Sequence, residues 1–391
     1  MKQYSLQKFK ESKRIKRKFK ITLTIMIISI LIILIALYLA NSDFRNFIDV
    51  HILRKEISEN DAIQLNIDVE ELSYVNVFNN NIITINGGVL TFYSDKGKEE
   101  ENLDIILSSP ISDSDEKYLV LGDKGGNKIY LINDKNIKWE KEVEGKISKV
   151  SVNKKGYVSV ISSGNTSESD ISVFNAKGDN IFTYHLASTY AIDSDISENN
   201  KYLAIAEVDY SGVSAKSQIK ILSIDDVQKD KTKAIVHTYD GEAGDIVTDL
   251  NYQDGDNAIC LFDSYIINIT PEKDEKLYTI DNNSTLFADI NLDKGYVKIE
   301  KESEEIFKSD YRLKISDLSN NEKLYALEGN VKKLKVNSDM MGIVSGTTVE
   351  FVSKDGWLCK KYIGSKEIKD IYISKNIAAI VYKDRIDIIT F

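Results

Sequence analysis

Ile21 to Ala40 reads ITLTIMIISILIILIALYLA, twenty residues without a charged side chain. As a helix rising about 1.5 Å per residue, the run reaches roughly 30 Å, the thickness of a bilayer's hydrocarbon core. Thr22, Thr24 and Ser29 are tolerable in such a helix, because each hydroxyl can bond a backbone carbonyl one turn back. Tyr38 lies near the far end, where an amphipathic ring rests at the lipid–water boundary. A cleaved signal peptide has a shorter apolar core, about 7–15 residues, and small residues at the cut. Here a bulky Tyr38 stands two residues before Ala40, so the run is read as an uncleaved anchor. No second stretch approaches eighteen apolar residues.

Charge gives the anchor a direction. The chain has 391 residues with 51 Lys+Arg and 61 Asp+Glu, a formal net charge of −10. Residues 1–20 hold nine bases and one acid, Glu11, whereas Asn41-Ser42-Asp43 follows the apolar run. Basic residues favour the cytoplasmic side, which places the amino terminus inside and the carboxyl-terminal body outside the cell membrane. With the leader at +8, the rest of the chain carries −18. A body that acidic excludes nucleic acid as a partner, since displacing counterions from phosphate needs a basic patch. Two cysteines exclude a disulfide scaffold, and 42% hydrophobic residues exclude wholesale disorder.

Four segments follow: a basic cytoplasmic leader, 1–20; a transmembrane helix, 21–40; a juxtamembrane stalk helix, 41–61; and an extracytoplasmic body, 62–391. The stalk rests on the helical spacing of Phe44, Phe47, Ile48, Leu53 and Ile57, ending near Asn60-Asp61. Beyond it the period falls to two. Val75-Asn76-Val77, Ile82-Ile83-Thr84-Ile85 and Val89 to Tyr93 are short β-branched and aromatic runs separated by turns such as Gly87-Gly88. The body reads as all-β.

Self-similarity selects among the all-β folds. Asn200-Lys201-Tyr202-Leu203-Ala204-Ile205-Ala206 echoes Glu116-Lys117-Tyr118-Leu119-Val120-Leu121, with fainter copies at Lys155–Ile161 and Lys294–Ile299. First strands fall near residues 74, 111, 147, 190, 246, 286, 331 and 368. Their spacing of about forty-two residues is that of a four-stranded propeller blade. The expectation is an eight-bladed β-propeller, or a seven-bladed one given the long 190–246 interval, preceded by one transmembrane helix. The last blade stops at a third strand, Arg385 to Phe391, and the alternating run Ala62 to Asp68 is the natural donor of the missing outer strand.

The turn-plus-aromatic segments Asp134 to Trp139, Ala176 to Phe182 and Lys354 to Leu358 resemble the blade ends of quinoprotein-type (PQQ-type) propellers. The layout over residues 62–391 is similar to an uncharacterised group of Firmicutes membrane-anchored propellers, and the Lys/Ile/Asn-rich composition fits such an organism. That resemblance implies fold and topology but no chemistry. Gly-His and Trp-Asp dipeptides of WD repeats are absent, and Ser353-Lys354-Asp355-Gly356 is a single partial match to a sialidase Asp-box.

Candidate chemistry is thin. His51, His185 and His237 show no HExxH or His-x-His spacing and read as solvated polar residues rather than zinc ligands. Cys260 and Cys359 fall in non-adjacent blades, too far apart for a disulfide, and read as separate buried thiols. The acidic clusters Asp113-Ser114-Asp115-Glu116, Asp193-Ser194-Asp195 and Asp254-Gly255-Asp256-Asn257 are weighed as Asx-type turns between first and second strands against calcium ligands, since none completes an EF-hand loop. No nucleophile elbow or phosphate-binding loop occurs. Catalytic, cofactor and metal residues are therefore assigned as none. Insertions at Tyr210–Lys216 and Val227–Lys233 enlarge the fourth blade, and Glu302-Ser303-Glu304-Glu305 the sixth. The leading reading is a non-catalytic binding or scaffold module for a protein or cell-envelope ligand. Its rivals are a lyase or hydrolase using acids around the central channel, and a ligand sensor acting through the leader. Side chains lining the channel discriminate between them.

Overall fold

The computed structural model describes residues 2–53, 55–227, 229, 234–305, 308–327 and 329–391. The chain forms two compact units, residues 1–55 and 56–391.

In the first unit one continuous helix runs Lys2–Ala40, and its Phe19–Ala40 part is long and apolar enough to cross a membrane. Thr24 Oγ1 donates to Lys20 O and Ser29 Oγ to Ile25 O, both at 2.9 Å, so these hydroxyls are satisfied by the helix itself. Asn41 ends the helix and starts the next, its side chain accepting from Phe44 N at 2.8 Å. The short helix Ser42–Phe47 runs into a wide turn, Ile48–Ile52. Asp49, fully buried, accepts from Tyr38 Oη at 2.8 Å and pairs with Lys55 Nζ at 3.1 Å. The stalk helix expected over 41–61 therefore stops at Ile52. Apolar spacing continued past it because Ile57 belongs to a strand, Glu56–Ser58, where its neighbours alternate in burial.

The second unit is an eight-bladed β-propeller. Inner strands of blades one to eight begin at Tyr74, Pro110, Ile147, Tyr190, Val247, Thr285, Lys333 and Asp370, within two residues of the expected starts. The long fourth interval is an enlarged blade, not a missing one. Each blade is an antiparallel sheet of four strands in sequence order, except the last two. Blade eight takes its outer strand from Ile63–Leu65, which pairs antiparallel with its third strand, Ile63 opposite Ile388 and Leu65 opposite Ile386. Blade seven gains a fifth strand, Glu56–Ser58, lying parallel to its outer strand Leu358–Ile363. That addition was not legible in three residues reading Glu-Ile-Ser.

Second strands such as Val158–Ser162 and Ile377–Val381 are buried at every position, because both sheet faces are covered by neighbouring blades. Apolar layers accordingly lie between blades. Val120, Ile129 and Leu131 of blade two meet Val152, Val158 and Val160 of blade three, and Ile219 and Ile221 of blade four meet Leu250 and Cys260 of blade five. Trp139, on the outer strand of blade two, packs on Phe174 with ring centroids 5.9 Å apart. Its ring also lies against Gly178 in the last turn of blade three, where φ is +85° and a Cβ would come within 2.9 Å of the indole. The aromatic-strand and turn pattern seen in the sequence is thus an inter-blade contact.

Candidate functional site in the central channel

Inner strands of successive blades run parallel around the axis. Asp193 and Asp195 of blade four accept from Leu250 N and Tyr252 N of blade five, at 3.1 and 2.8 Å, in constant register. Residues two apart share a face of a strand. The pairs Asp113/Asp115, Lys149/Ser151, Asp193/Asp195, Asp249/Asn251, Asp289/Asn291 and Lys335/Asn337 therefore form polar layers along the channel. In blades three, four and five the register of the inner strand shifts just before Lys149, Asp193 and Asp249. Such bulges re-aim the side chain that follows.

Two of the three acidic clusters are thereby relocated. Asp113, Asp115, Asp193 and Asp195 are strand residues of the channel wall, not turn residues, whereas Asp254 and Asp256 do occupy a turn between first and second strands. The sequence signal was the alternation Asp-Ser-Asp, which at a period of two is a strand pattern. Among the described residues, no group of three or more His, Cys, Asp or Glu is placed to hold a metal ion.

Most channel carboxylates tie one blade to the next. Asp113 Oδ2 accepts from Val152 N at 2.8 Å, Asp195 Oδ1 from Ser151 Oγ at 2.6 Å, and Asp249 Oδ2 from Asn291 Nδ2 at 3.1 Å. Lys149 bonds Asp193 directly and lies 3.6 Å from Asp249, so one ammonium serves blades four and five from blade three. Burial pulls that ammonium down, but the two carboxylates outweigh it and its pKa is raised. Burial pushes Asp193 up, with Lys149 opposing it only in part. Asp115 is different: among the described residues it accepts no hydrogen bond, and burial pushes it up to about 7, against the pull of Lys154 and with repulsion from Asp113 and Asp195 adding to it. Asp195 is likewise raised by burial to about 7 and Asp289 to about 6.

These shifts have a sign that can be measured. An acid raised in the folded state holds its proton where the unfolded chain has lost it, so stability falls as pH climbs from the unfolded value near 4 through the folded values. The thermal midpoint is expected to be a few degrees higher at about pH 5.5 than at about pH 8, and Asp115→Asn is expected to raise the midpoint at the higher pH and flatten the trend. A midpoint that climbs with pH over this window contradicts the assignment.

The other candidates are dispersed. His185, which is exposed, pairs with Asp170 at 2.7 Å inside blade three, and the half-buried His237 of blade four with Asp274 of blade five at 2.6 Å, so each has a carboxylate partner across strands or blades. His51 lies in the wide turn of the first unit, its side chain outside those described. Cys260 is buried and Cys359 half-buried, and neither forms a disulfide. Concavities of about 320 and 630 Å³ are lined by residues such as Lys332, Thr348 and Lys361, and Asn175, Asp179 and Val227, none of which faces the channel. Of the Val227–Lys233 insertion only Val227 and Lys229 are among the described residues, and Val227 ends a four-residue helix.

With the ring and its channel defined, comparison with known proteins places the chain. A family model described as a family of unknown function (DUF5711) matches residues 55–391. The chain belongs to the DUF5711 family. No curated protein matches this DUF5711 sequence. Among solved structures, the C-terminal WD40 domain of Sif2 superposes with a TM-score of 0.57 at 14% identity, covering 85% of this chain and 98% of that one. Dihydro-heme d1 dehydrogenase NirN superposes at 0.51 with 11% identity, covering 85% and 76%. BamB from Moraxella catarrhalis gives 0.48 at 10% identity, covering 84% and 100%. At such identities the likeness is one of fold alone.

Proposed function

We propose that this DUF5711 chain is a single-pass membrane protein whose propeller stands outside the cell membrane and works as a non-catalytic binding or scaffold module for a protein or envelope ligand. Support for the tether is the apolar Phe19–Ala40 helix with its basic leader. Support for binding comes from the propeller face onto which inner strands open. Because the strands alternate in direction, that face collects the connections between blades and the turns between second and third strands. It carries Tyr190, Tyr210, Val213 and Leu286, each at least 42% exposed. Exposed aromatic and aliphatic side chains on loops of a rigid scaffold are the usual material of a recognition surface.

Topology can be tested with a membrane-impermeant maleimide on intact cells, in a Cys359→Ser background. Ser211→Cys is expected to label and Ser5→Cys to stay unlabelled until the membrane is opened. Reversed labelling refutes the orientation, and a soluble chain lacking its first forty residues refutes the anchor.

A second reading is favoured by one observation, the raised carboxylates of Asp115 and Asp195 near one another in the channel. Such groups suit general acid–base work at neutral pH. It predicts a turnover that Asp115→Asn abolishes while leaving the fold intact; a variant with unchanged turnover removes it.

A further inference from the structure

Beyond its long helix the first unit turns back on itself. Tyr38 and Asp49 are 11 residues apart, which in one straight helix would separate them by about 16 Å along the axis. Their 2.8 Å hydrogen bond requires the chain to reverse instead, and it does so at Asn41, whose φ of −119° and ψ of 114° are extended. The short helix Ser42–Phe47 and the wide turn Ile48–Ile52 are thereby folded back toward the last turn of the anchor.

Polar side chains of this fold-back are covered and apolar ones are not. Asp49 is fully buried, held by Tyr38 and by Lys55 at 3.1 Å, and Arg45 is only 9% exposed. Phe47, Ile52 and Leu53 are 55%, 60% and 54% exposed. A segment standing in water does the reverse, so buried charge beside exposed large apolar groups calls for a physical reason. Lipid supplies one, because hydrocarbon accepts apolar side chains and penalises a bare charge. The same apolar exposure is present on the anchor beside Tyr38, where Leu37 and Leu39 are 44% and 58% exposed. Residues 41–55 hold Asp43 and Asp49 against Arg45, Arg54 and Lys55, a net of +1 that gives little pull toward anionic headgroups.

Resting on the single-pass anchor proposed above, we infer that residues 42–53 form a second membrane-associated element, an interfacial foot whose apolar side chains enter the outer leaflet while Asp49 locks it against the anchor. Its partner is the lipid bilayer. Elements of this kind lie in the plane of the interface with their apolar face about 5–10 Å into the boundary between headgroups and acyl chains. Tyr38 stands at that boundary, the usual place for an amphipathic ring, so its bond to Asp49 sets the depth of the foot. The membrane-bound part of the chain then reaches Leu53 rather than Ala40, and the segment is no stalk through water.

The test uses the full chain with Cys359→Ser in phosphatidylcholine nanodiscs, Cys260 being buried. A bimane label is placed at Leu53→Cys or, as a reference inside the anchor, at Leu31→Cys. Lipids with a nitroxide just below the headgroup are expected to quench the label at 53 at least twofold and more strongly than lipids with a nitroxide at the chain end, whereas position 31 shows the opposite order. Joint Phe47→Ser and Ile52→Ser, and separately Asp49→Ala, are each expected to halve the quenching at 53 and leave position 31 unchanged. A label at 53 that is unquenched by lipid and open to aqueous iodide, with 31 still quenched, overturns the foot and leaves the anchor standing. Quenching at neither position overturns the anchor itself. Quenching at 53 that persists in the Phe47→Ser and Ile52→Ser protein overturns the inference as partitioning of the label, and quenching that requires anionic lipid overturns it as headgroup attraction. Quenching unchanged by Asp49→Ala overturns the carboxylate as the lock.

Discussion

Replacing Asp387 by alanine is expected to cost about 3–5 kcal/mol in a denaturant titration of the full chain, because it removes one of the two carboxylates of the largely covered Arg385, takes an acceptor from the buried Tyr362 hydroxyl and breaks the ring at its seam. Asp387 is fully buried in the third strand of blade eight. It accepts from Tyr362 Oη at 2.6 Å, which crosses from the outer strand of blade seven, and from Arg385 Nε at 2.8 Å. Arg385 Nη2 in turn reaches Glu59 at 3.0 Å, and Glu59 accepts from Ser365 N and Oγ at 3.1 and 2.8 Å. One network thus joins the segment that opens the second unit, blade seven and blade eight. Without it the strand Ile63–Leu65, held by only three register pairs, is expected to release and expose the edge of Ile386–Thr390. Limited proteolysis should then move to residues 56–73. Stability within about 1 kcal/mol of the parent, with unchanged cleavage, would show that the seam is held by apolar packing alone.

Lys149→Met tests the channel in the same way and adds a pH signature. Lys149 is the cation shared by Asp193 and Asp249, and Asp193 is only 1% exposed. Its removal leaves a buried carboxylate beside another, expected to cost about 3–5 kcal/mol at about pH 8. Protonation of Asp193 relieves that repulsion, so the deficit should shrink to about half near pH 5.5. The sign follows from burial raising Asp193 in the folded state: removing Lys149 raises it further and steepens the fall of stability with rising pH. A deficit independent of pH would mean that Lys149 acts through its methylene stem.

Blade number and strand starts were legible because each blade repeats one hydrophobic alternation, so every start could be checked against its neighbours. Ile63–Leu65 was legible as the donor of blade eight because the last blade ended one strand short. Glu56–Ser58 was not, since its pairing with Leu358–Ile363 depends on where the ring seam lies and not on its own three side chains. The channel failed for a related reason. The Asp-Ser-Asp alternation at Asp113 and Asp193 fits a strand as well as a turn, and what holds each as a wall residue is an N–H of the neighbouring blade, Val152 and Leu250, tens of residues away.

Local, periodic information, meaning which residues alternate and where turns fall, was enough to determine an apolar helix followed by four-stranded units unable to cover both of their own faces. Only the closed ring decided which carboxylates meet across blades and which chain segment seals the seam. Those are contacts between residues far apart in sequence, and their geometry exists only once eight sheets share one axis.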